Sequence, residues 1–178
     1  MKVVRVVQLC GYKNSGKTTL LAAVIRQLKA RGVRLAVIKH DAHQFEMDHP
    51  GTDTDRFREA GADAVAITSP GRTAVLMEAE TPLETLIGAF RDVDLVLVEG
   101  FKQAAYPKLV LLRDEADAGL LQLQGIMGIV VPKEMIKPQK MTEEPGRGQT
   151  VGSDLPAPVI PRDDVDAIVA LILSSEAQ

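Results

Sequence analysis

Residues 11–18 read Gly-Tyr-Lys-Asn-Ser-Gly-Lys-Thr, between the apolar run Val3 to Leu9 and a stretch whose apolar residues recur at helical spacing. A G-x-x-x-x-G-K-[ST] pattern set between strand and helix is a phosphate-binding loop, and it commits the chain to a strand–loop–helix unit of an α/β fold. Polyphosphate needs closely approaching backbone N–H groups and the partial positive charge of a helix N-terminus; Gly11 and Gly16, lacking side chains, permit that wrap. Lys17 is placed to reach the β and γ phosphates. The hydroxyl of Thr18 suits Mg²⁺, a hard cation that prefers oxygen ligands. A glycine-rich turn that happens to hold a lysine is the plainer alternative, and the full match in its required context argues against it. Between the two glycines, Lys13 reads equally as an added phosphate contact or a surface lysine. In one large class of phosphate-loop ATPases a second lysine directly follows the first glycine; that place is Tyr12 here, so the chain lacks that signature.

Beyond this unit, short apolar runs alternate with helical patterns, the signature of parallel β-α-β units. Val3 to Leu9, Val33 to Lys39, Ala64 to Thr68, the DLVLVEG segment, Lys108 to Leu112 and Ile126 to Val131 read as strands. Helices are expected over Lys17 to Arg31, residues 53 to 62, 82 to 91, around Ala116 to Gln124, and Asp163 to Leu173. The Ser69-Pro70-Gly71 turn is too short for a parallel crossover, so Arg72 to Met77 should return antiparallel. The expected fold is therefore α/β: a phosphate-loop NTPase-like, mainly parallel sheet with helices on both faces and an added antiparallel strand or hairpin. Residues 132–158 carry five prolines and few large apolar residues, and read as a long mobile loop.

The 178 residues are 46% hydrophobic, enough for one substantial core, and a single domain spanning 1–178 is expected. A net charge of −3 gives no general electrostatic drive toward nucleic acid or anionic membranes. The single cysteine, Cys10, excludes an internal disulfide framework, and Cys10 itself should be buried and chemically quiet. No apolar run approaches a membrane span, and Arg5 breaks any signal-like start, so a soluble cytoplasmic protein is expected.

A triphosphate site also needs a carboxylate at the end of a neighbouring strand to hold Mg²⁺ or its waters. Glu99 directly ends the apolar run of DLVLVEGFK, where ligands of parallel sheets bind, and Gly100 beside it would let backbone approach a γ phosphate. An ordinary solvated strand-end acid is the competing reading. All three histidines fall in IKHDAHQFEMDH, residues 38–49. Their spacing fits no zinc pattern well, so this segment reads better as a switch-like loop, with Asp41 a second candidate for the Mg²⁺ shell. Asp53, Thr54 and Arg56 read as much as a helix cap and a surface arginine as site residues. The guanine-reading N-K-x-D does not occur; Lys133, in the segment after the IMGIVV strand, reads as an exposed loop lysine.

Taken together, GYKNSGKTTL, VIKHDAH, the DTDRFREAGA helix, DLVLVEGFK and PKLVLLR resemble the molybdopterin-guanine dinucleotide biosynthesis protein B (MobB) family, over about residues 3 to 113 with a weaker echo in PVIPRDDVDAIVALI. The resemblance implies a homodimeric, GTP-binding phosphate-loop adaptor with weak GTPase activity. Its partner would be the molybdenum cofactor guanylyltransferase, which attaches GMP to the molybdopterin cofactor. Carried onto this chain, the phosphate-loop residues are Gly11, Lys13, Ser15, Gly16, Lys17, Thr18 and Thr19, with the Walker B acid on Glu99; Lys39, His40, Asp41 and His43 match the IKHDAH element. The candidate site then comprises Lys17 and Glu99 as catalytic groups. Gly11, Lys13, Asn14, Ser15, Gly16, Lys17, Thr18, Thr19 and Gly100 would lie around GTP, and Thr18, Glu99 and Asp41 around Mg²⁺. Two readings compete: a small-molecule kinase using Asp41 or Asp53 as base with Arg56 or Arg58 as clamp, and a metal-delivery GTPase using His40 and His43.

Overall fold

The computed structural model of the chain describes residues 4–41, 45–136 and 155–175. Their contacts divide into two compact units, one formed by residues 1–40 with 90–178 and the other by residues 41–89.

The first unit is built on a six-stranded sheet of β1 (Arg5–Cys10), β2 (Leu35–Lys39), β5 (Leu95–Glu99), β6 (Lys108–Leu111), β7 (Ile126–Val131) and β8 (Val159–Pro161). The spatial order is β2-β5-β1-β6-β7-β8, and every pairing is parallel. The phosphate-loop strand β1 is thus central, with β5 in register along Arg5↔Leu95 to Leu9↔Glu99 and β6 on its other side. That register brings the C-terminal ends of β1 and β5 level, so the loop after Cys10 and the residues after Glu99 emerge side by side.

Central parallel strands are covered on both faces and need near-continuous apolar sequence. One face, with Val7, Leu9, Leu97, Leu109 and Leu111, is covered by α1 (Lys17–Ala30) through Leu20, Leu21, Val24 and Leu28, and by α4 (Val165–Ser174) through Ile168, Val169 and Ile172. The other face, with Cys10, Val110, Ile129 and Val131, receives Leu120 from a turn of 3-10 helix, Glu115–Gln122. An α-helix was expected at 116–124. Gly119 and the aspartates at 114 and 117 favour shorter local bonds instead, and Asp114 caps the turn by accepting from the Ala116 N–H at 2.9 Å. Asp164 caps α4 in the same way, accepting from Ala167 N–H at 3.0 Å. Strand β8 was not expected; three residues containing a proline carry no readable period.

In the second unit, α2 (Asp53–Glu59) starts at Thr52, whose hydroxyl accepts from the Asp55 N–H. Strands β3 (Ala64–Ser69) and β4 (Arg72–Met77) form an antiparallel hairpin, with pairing from Ala64↔Met77 to Ser69↔Arg72, as a sheet of their own. A short helix α3 (Leu83–Ala89) follows, with Leu83 buried. Of the proline-rich stretch 132–158, the described part holds a 3-10 turn at Lys133–Met135; the expected mobile loop lies largely outside the described residues, in 137–154.

Candidate functional site

The phosphate loop closes on itself in a way that depends on Gly11. A Cβ there would stand 2.7 Å from Ser15 Oγ and 3.2 Å from the carbonyl oxygen of Leu111 at the end of β6. Ser15 is buried, and its N–H donates to the Tyr12 carbonyl at 3.3 Å. Asn14 takes a left-handed φ of 61° and Gly16 one of 83°, completing the turn into α1. Gly16 is the N-cap, with no side-chain cap and no acidic residue in the first helical turn. The helix therefore starts with its positive end unneutralised by its own side chains, the condition under which an anion is favoured.

Lys17 folds back over the loop, donating from Nζ to the Tyr12 carbonyl at 2.7 Å and to Ser15 Oγ at 3.4 Å. Burial pushes the Lys17 ammonium below the usual lysine range; Glu99 opposes this, while Lys102 and Arg113 add to it. Across the β1–β5 seam, the Thr18 hydroxyl donates toward both oxygens of Glu99, at 3.4 and 3.3 Å. Glu99 is buried to 7% exposure and its backbone carbonyl accepts from the His40 N–H at 2.9 Å, so the strand-end acid is held rather than solvated. A hydroxyl and a carboxylate converging at the mouth of the loop form the donor set that suits Mg²⁺.

The site contains residues to which the sequence assigned no role, although Lys102, Arg113 and Arg162 lie in the segments DLVLVEGFK, PKLVLLR and PVIPRDDVDAIVALI. Arg113, just past β6, grips the buried Asp117 with Nη2 at 2.7 Å and Nε at 2.9 Å, and its Nη1 reaches the Lys13 carbonyl at 3.5 Å. The Arg113 hydrogen bonds hold the Asp117 carboxyl below the usual carboxylate range and the guanidinium above its own. Arg162, after β8, donates to the Leu112 carbonyl at 3.2 Å and lies 3.4 Å from where a Gly16 Cβ would be. The Tyr12 ring carries the Lys102 ammonium 4.4 Å from its centroid and the Arg113 guanidinium at 5.8 Å. Two arginines and a lysine from separate loops thus lie around the phosphate loop. Strand-end position was the signal that could have found them, since all follow the C-terminal ends of parallel strands.

Cys10 is fully buried, with Sγ 3.9 Å from the Gly100 carbonyl, and burial pushes its thiol up from the ordinary cysteine value. Asp94, at the opposite end of β5, accepts from the Arg34 N–H at 3.0 Å and so plays a structural part.

The remaining candidates are placed differently. Lys13 and Thr19 are exposed at the loop and the first helical turn. Asp41 is exposed and opens the second unit, while His43 lies outside the described residues. In that second unit Arg58 is tied by Asp55 at 2.8 Å, Glu46 at 3.3 Å and Glu78 at 3.9 Å, which leaves it neutralised as a phosphate clamp. Arg56 pairs at 3.8 Å with Asp53, both exposed. Among the described residues no group of three His, Cys, Asp or Glu side chains is arranged to hold a metal ion.

Residues 6–131 match the family model for molybdopterin guanine dinucleotide synthesis protein B, MobB. The chain belongs to the MobB family. It is 36% identical over 145 residues to a probable molybdopterin-guanine dinucleotide biosynthesis adapter protein of Bacillus subtilis, covering 79% of this chain and 82% of that one. The adapter protein of Haemophilus influenzae is 44% identical over 111 residues, 60% of this chain and 62% of that one. The crystal structure of Bacillus subtilis MobB superimposes with a TM-score of 0.73 at 31% identity, covering 96% of both chains. A MobB homologue from Bacillus stearothermophilus gives 0.67 at 28% identity over 94% of both. The family model spans β1 to β7, and so includes both sides of the loop site; β8, α4 and Arg162 lie beyond it.

Proposed function

We propose that this MobB-family protein is a GTP-binding adapter of molybdopterin-guanine dinucleotide biosynthesis, working beside a guanylyltransferase that attaches GMP to molybdopterin. The observation that carries the reading is the Thr18–Glu99 pair at the mouth of an intact phosphate loop, in a chain whose curated relatives bear the adapter name. Lys17 and the first-turn N–H groups of α1 would bind the β and γ phosphates. Thr18 and Glu99 would hold Mg²⁺, which when bound neutralises phosphate charge. The side chains gathered here bind and neutralise; hydrolysis also needs a residue that orients water, and Gly100 and Phe101 after Glu99 supply none, so turnover is slow.

The same reading makes the protein a cytoplasmic homodimer. Two-stranded hairpins with open faces are marginal alone, and Ile67, Val75 and Met77 of the β3–β4 hairpin are each more than half exposed, at 58%, 58% and 51%. No helix among the described residues is long and apolar enough to cross a membrane.

Calorimetric titration with GTP and ATP, each with and without Mg²⁺, tests the proposal. Preference for GTP strengthened by Mg²⁺ is the expected result. Preference for ATP would overturn the guanine assignment and bring the small-molecule kinase forward.

A further inference from the structure

Strand β5 ends in a backbone that L-residues seldom adopt: Gly100 has φ 101° and Phe101, which has a side chain, φ 48°. Residues held this way persist only where their surroundings over-determine them, and they gather at functional sites. The supports here are explicit. Gln8, fully buried in the middle of β1, donates from Nε2 to the Gly100 carbonyl at 3.1 Å and to the Phe101 carbonyl at 2.8 Å. The Phe101 ring sits against the His40 imidazole with centroids 4.5 Å apart, and the Phe101 carbonyl also accepts from the Ala104 N–H at 2.9 Å.

This turn directs the next side chain, Lys102, to the phosphate loop. Its ammonium lies 4.4 Å from the centroid of the Tyr12 ring, while the Lys17 ammonium binds the Tyr12 carbonyl at 2.7 Å. Two lysines, one from the start of α1 and one from the connection after β5, therefore converge on one loop residue. Among the described residues no carboxylate pairs with Lys102; its neighbour is a ring face. A cation on an exposed ring is weakly held, whereas a phosphate oxyanion offers a charge-assisted hydrogen bond. Lys102 also stands three residues past Glu99, the acid that meets Thr18 at the mouth of the loop where a triphosphate's metal ion and outer phosphates would be held.

We propose that Lys102 is a second phosphate-binding lysine, parked on Tyr12 in the free protein and transferred to the terminal phosphate of a bound nucleoside triphosphate. The inference rests on the phosphate-loop reading above and deepens it: it makes this chain a discriminator of triphosphate from diphosphate, with a cation supplied from its own β5–β6 connection.

The test is calorimetry with inorganic triphosphate and inorganic diphosphate, both with Mg²⁺, on wild type, Lys102→Met, Lys102→Arg and Lys17→Ala. Triphosphate affinity should fall about ten- to a hundred-fold in Lys102→Met, as loss of one charged hydrogen bond implies, with diphosphate within about twofold of wild type. Lys102→Arg should recover most of the loss. The chain has two tyrosines and no tryptophan, so in a Tyr106→Phe background the emission of Tyr12 reports the transfer directly. Triphosphate should change it in the presence of Lys102 and leave it unchanged in Lys102→Met. Wild-type triphosphate affinity in Lys102→Met, or an equal loss for both anions, would overturn this proposal while leaving the phosphate loop standing. Wild type binding neither anion, with Lys17→Ala indistinguishable from it, would overturn both.

Discussion

Two loops leave neighbouring strands of the sheet, one after β1 and one after β5, and they solve the same problem by opposite means. Each begins with a glycine directly after its strand, and each contains a side-chain-bearing residue of positive φ, Asn14 at 61° and Phe101 at 48°. The first is held mainly from within its own segment, by the Ser15 N–H and the Lys17 ammonium on the Tyr12 carbonyl, and continues into a helix. The second has no helix to run into: residues 100–107 pass across β1, and buried polar side chains of the strands below hold it. Gln8 binds Gly100 and Phe101 from β1, and Lys108 of β6, 1% exposed, donates to the carbonyls of Ala104 and Tyr106. A loop that makes its own bonds is recognisable as a pattern of adjacent letters. One whose bonds come from other strands is not.

The comparison breaks first at Lys17. Lys17→Ala should reduce triphosphate affinity by more than about a hundredfold while leaving the thermal midpoint near wild type, because the Ser15 N–H closes the turn on the Tyr12 carbonyl without that side chain. Calorimetry together with a melting curve separates the two effects, the mutant losing only the exposed Lys17 bond to the Tyr12 carbonyl while the Ser15 N–H still closes the turn there; unchanged affinity would remove the phosphate-loop assignment.

A smaller effect is expected from the glycines. A Cβ at Gly100 would lie 2.9 Å from the Cβ of His40, and its φ of 101° is strained for any L side chain, so Gly100→Ala should destabilise by about 1–3 kcal/mol in urea denaturation. Gly11→Ala meets the far end of Ser15 first, at 2.7 Å, and no positive φ. It should cost less stability and more ligand affinity. The reverse order would show that the first loop, not the second, carries the strain.

The finest distinction lies in Lys108. Burial holds its ammonium below the ordinary lysine value of 10.5. Between that lowered value and 10.5 the unfolded chain binds more protons than the native one, so stability relative to Lys108→Met should rise with pH through this window and be flat below it. Denaturation midpoints of the two proteins across pH 7 to 10.5 check the slope; a parallel pair of curves would mean that the ammonium is well solvated.

Much of this architecture was legible from residue order alone. The strands β1, β2, β5, β6 and β7, helices α1 and α4 and the β3–β4 return all follow from periodicity and turn chemistry, which are local. Lys17, Thr18 and Glu99 were legible because motif and strand-end position identify them, and the structure brings Thr18 and Glu99 together. Arg162, Lys102 and Gln8 were not, because each acts through a partner far along the chain, Gln8 lying 92 residues from Gly100; Arg113 is held locally by Asp117 and meets the loop only at Lys13, 100 residues away. The 3-10 turn at 115–122 and the three-residue β8 failed for a different reason: both are too short or too irregular for a hydrophobic period to show.

The strand order also bears on how such a chain is made. Strands β1 and β2 each meet β5, and β1 otherwise meets β6, so neither has a sheet neighbour until residues 95–99 have been synthesised. At ordinary translation speeds the N-terminal strand, with its loop attached, waits roughly 5 to 20 seconds for a companion. During that interval the apolar edges of VVRVVQL and LAVIK are exposed to the crowded surroundings of the ribosome. A chain with this strand order therefore gains from having its β1 and β2 segments kept apart from other chains until β5 has emerged.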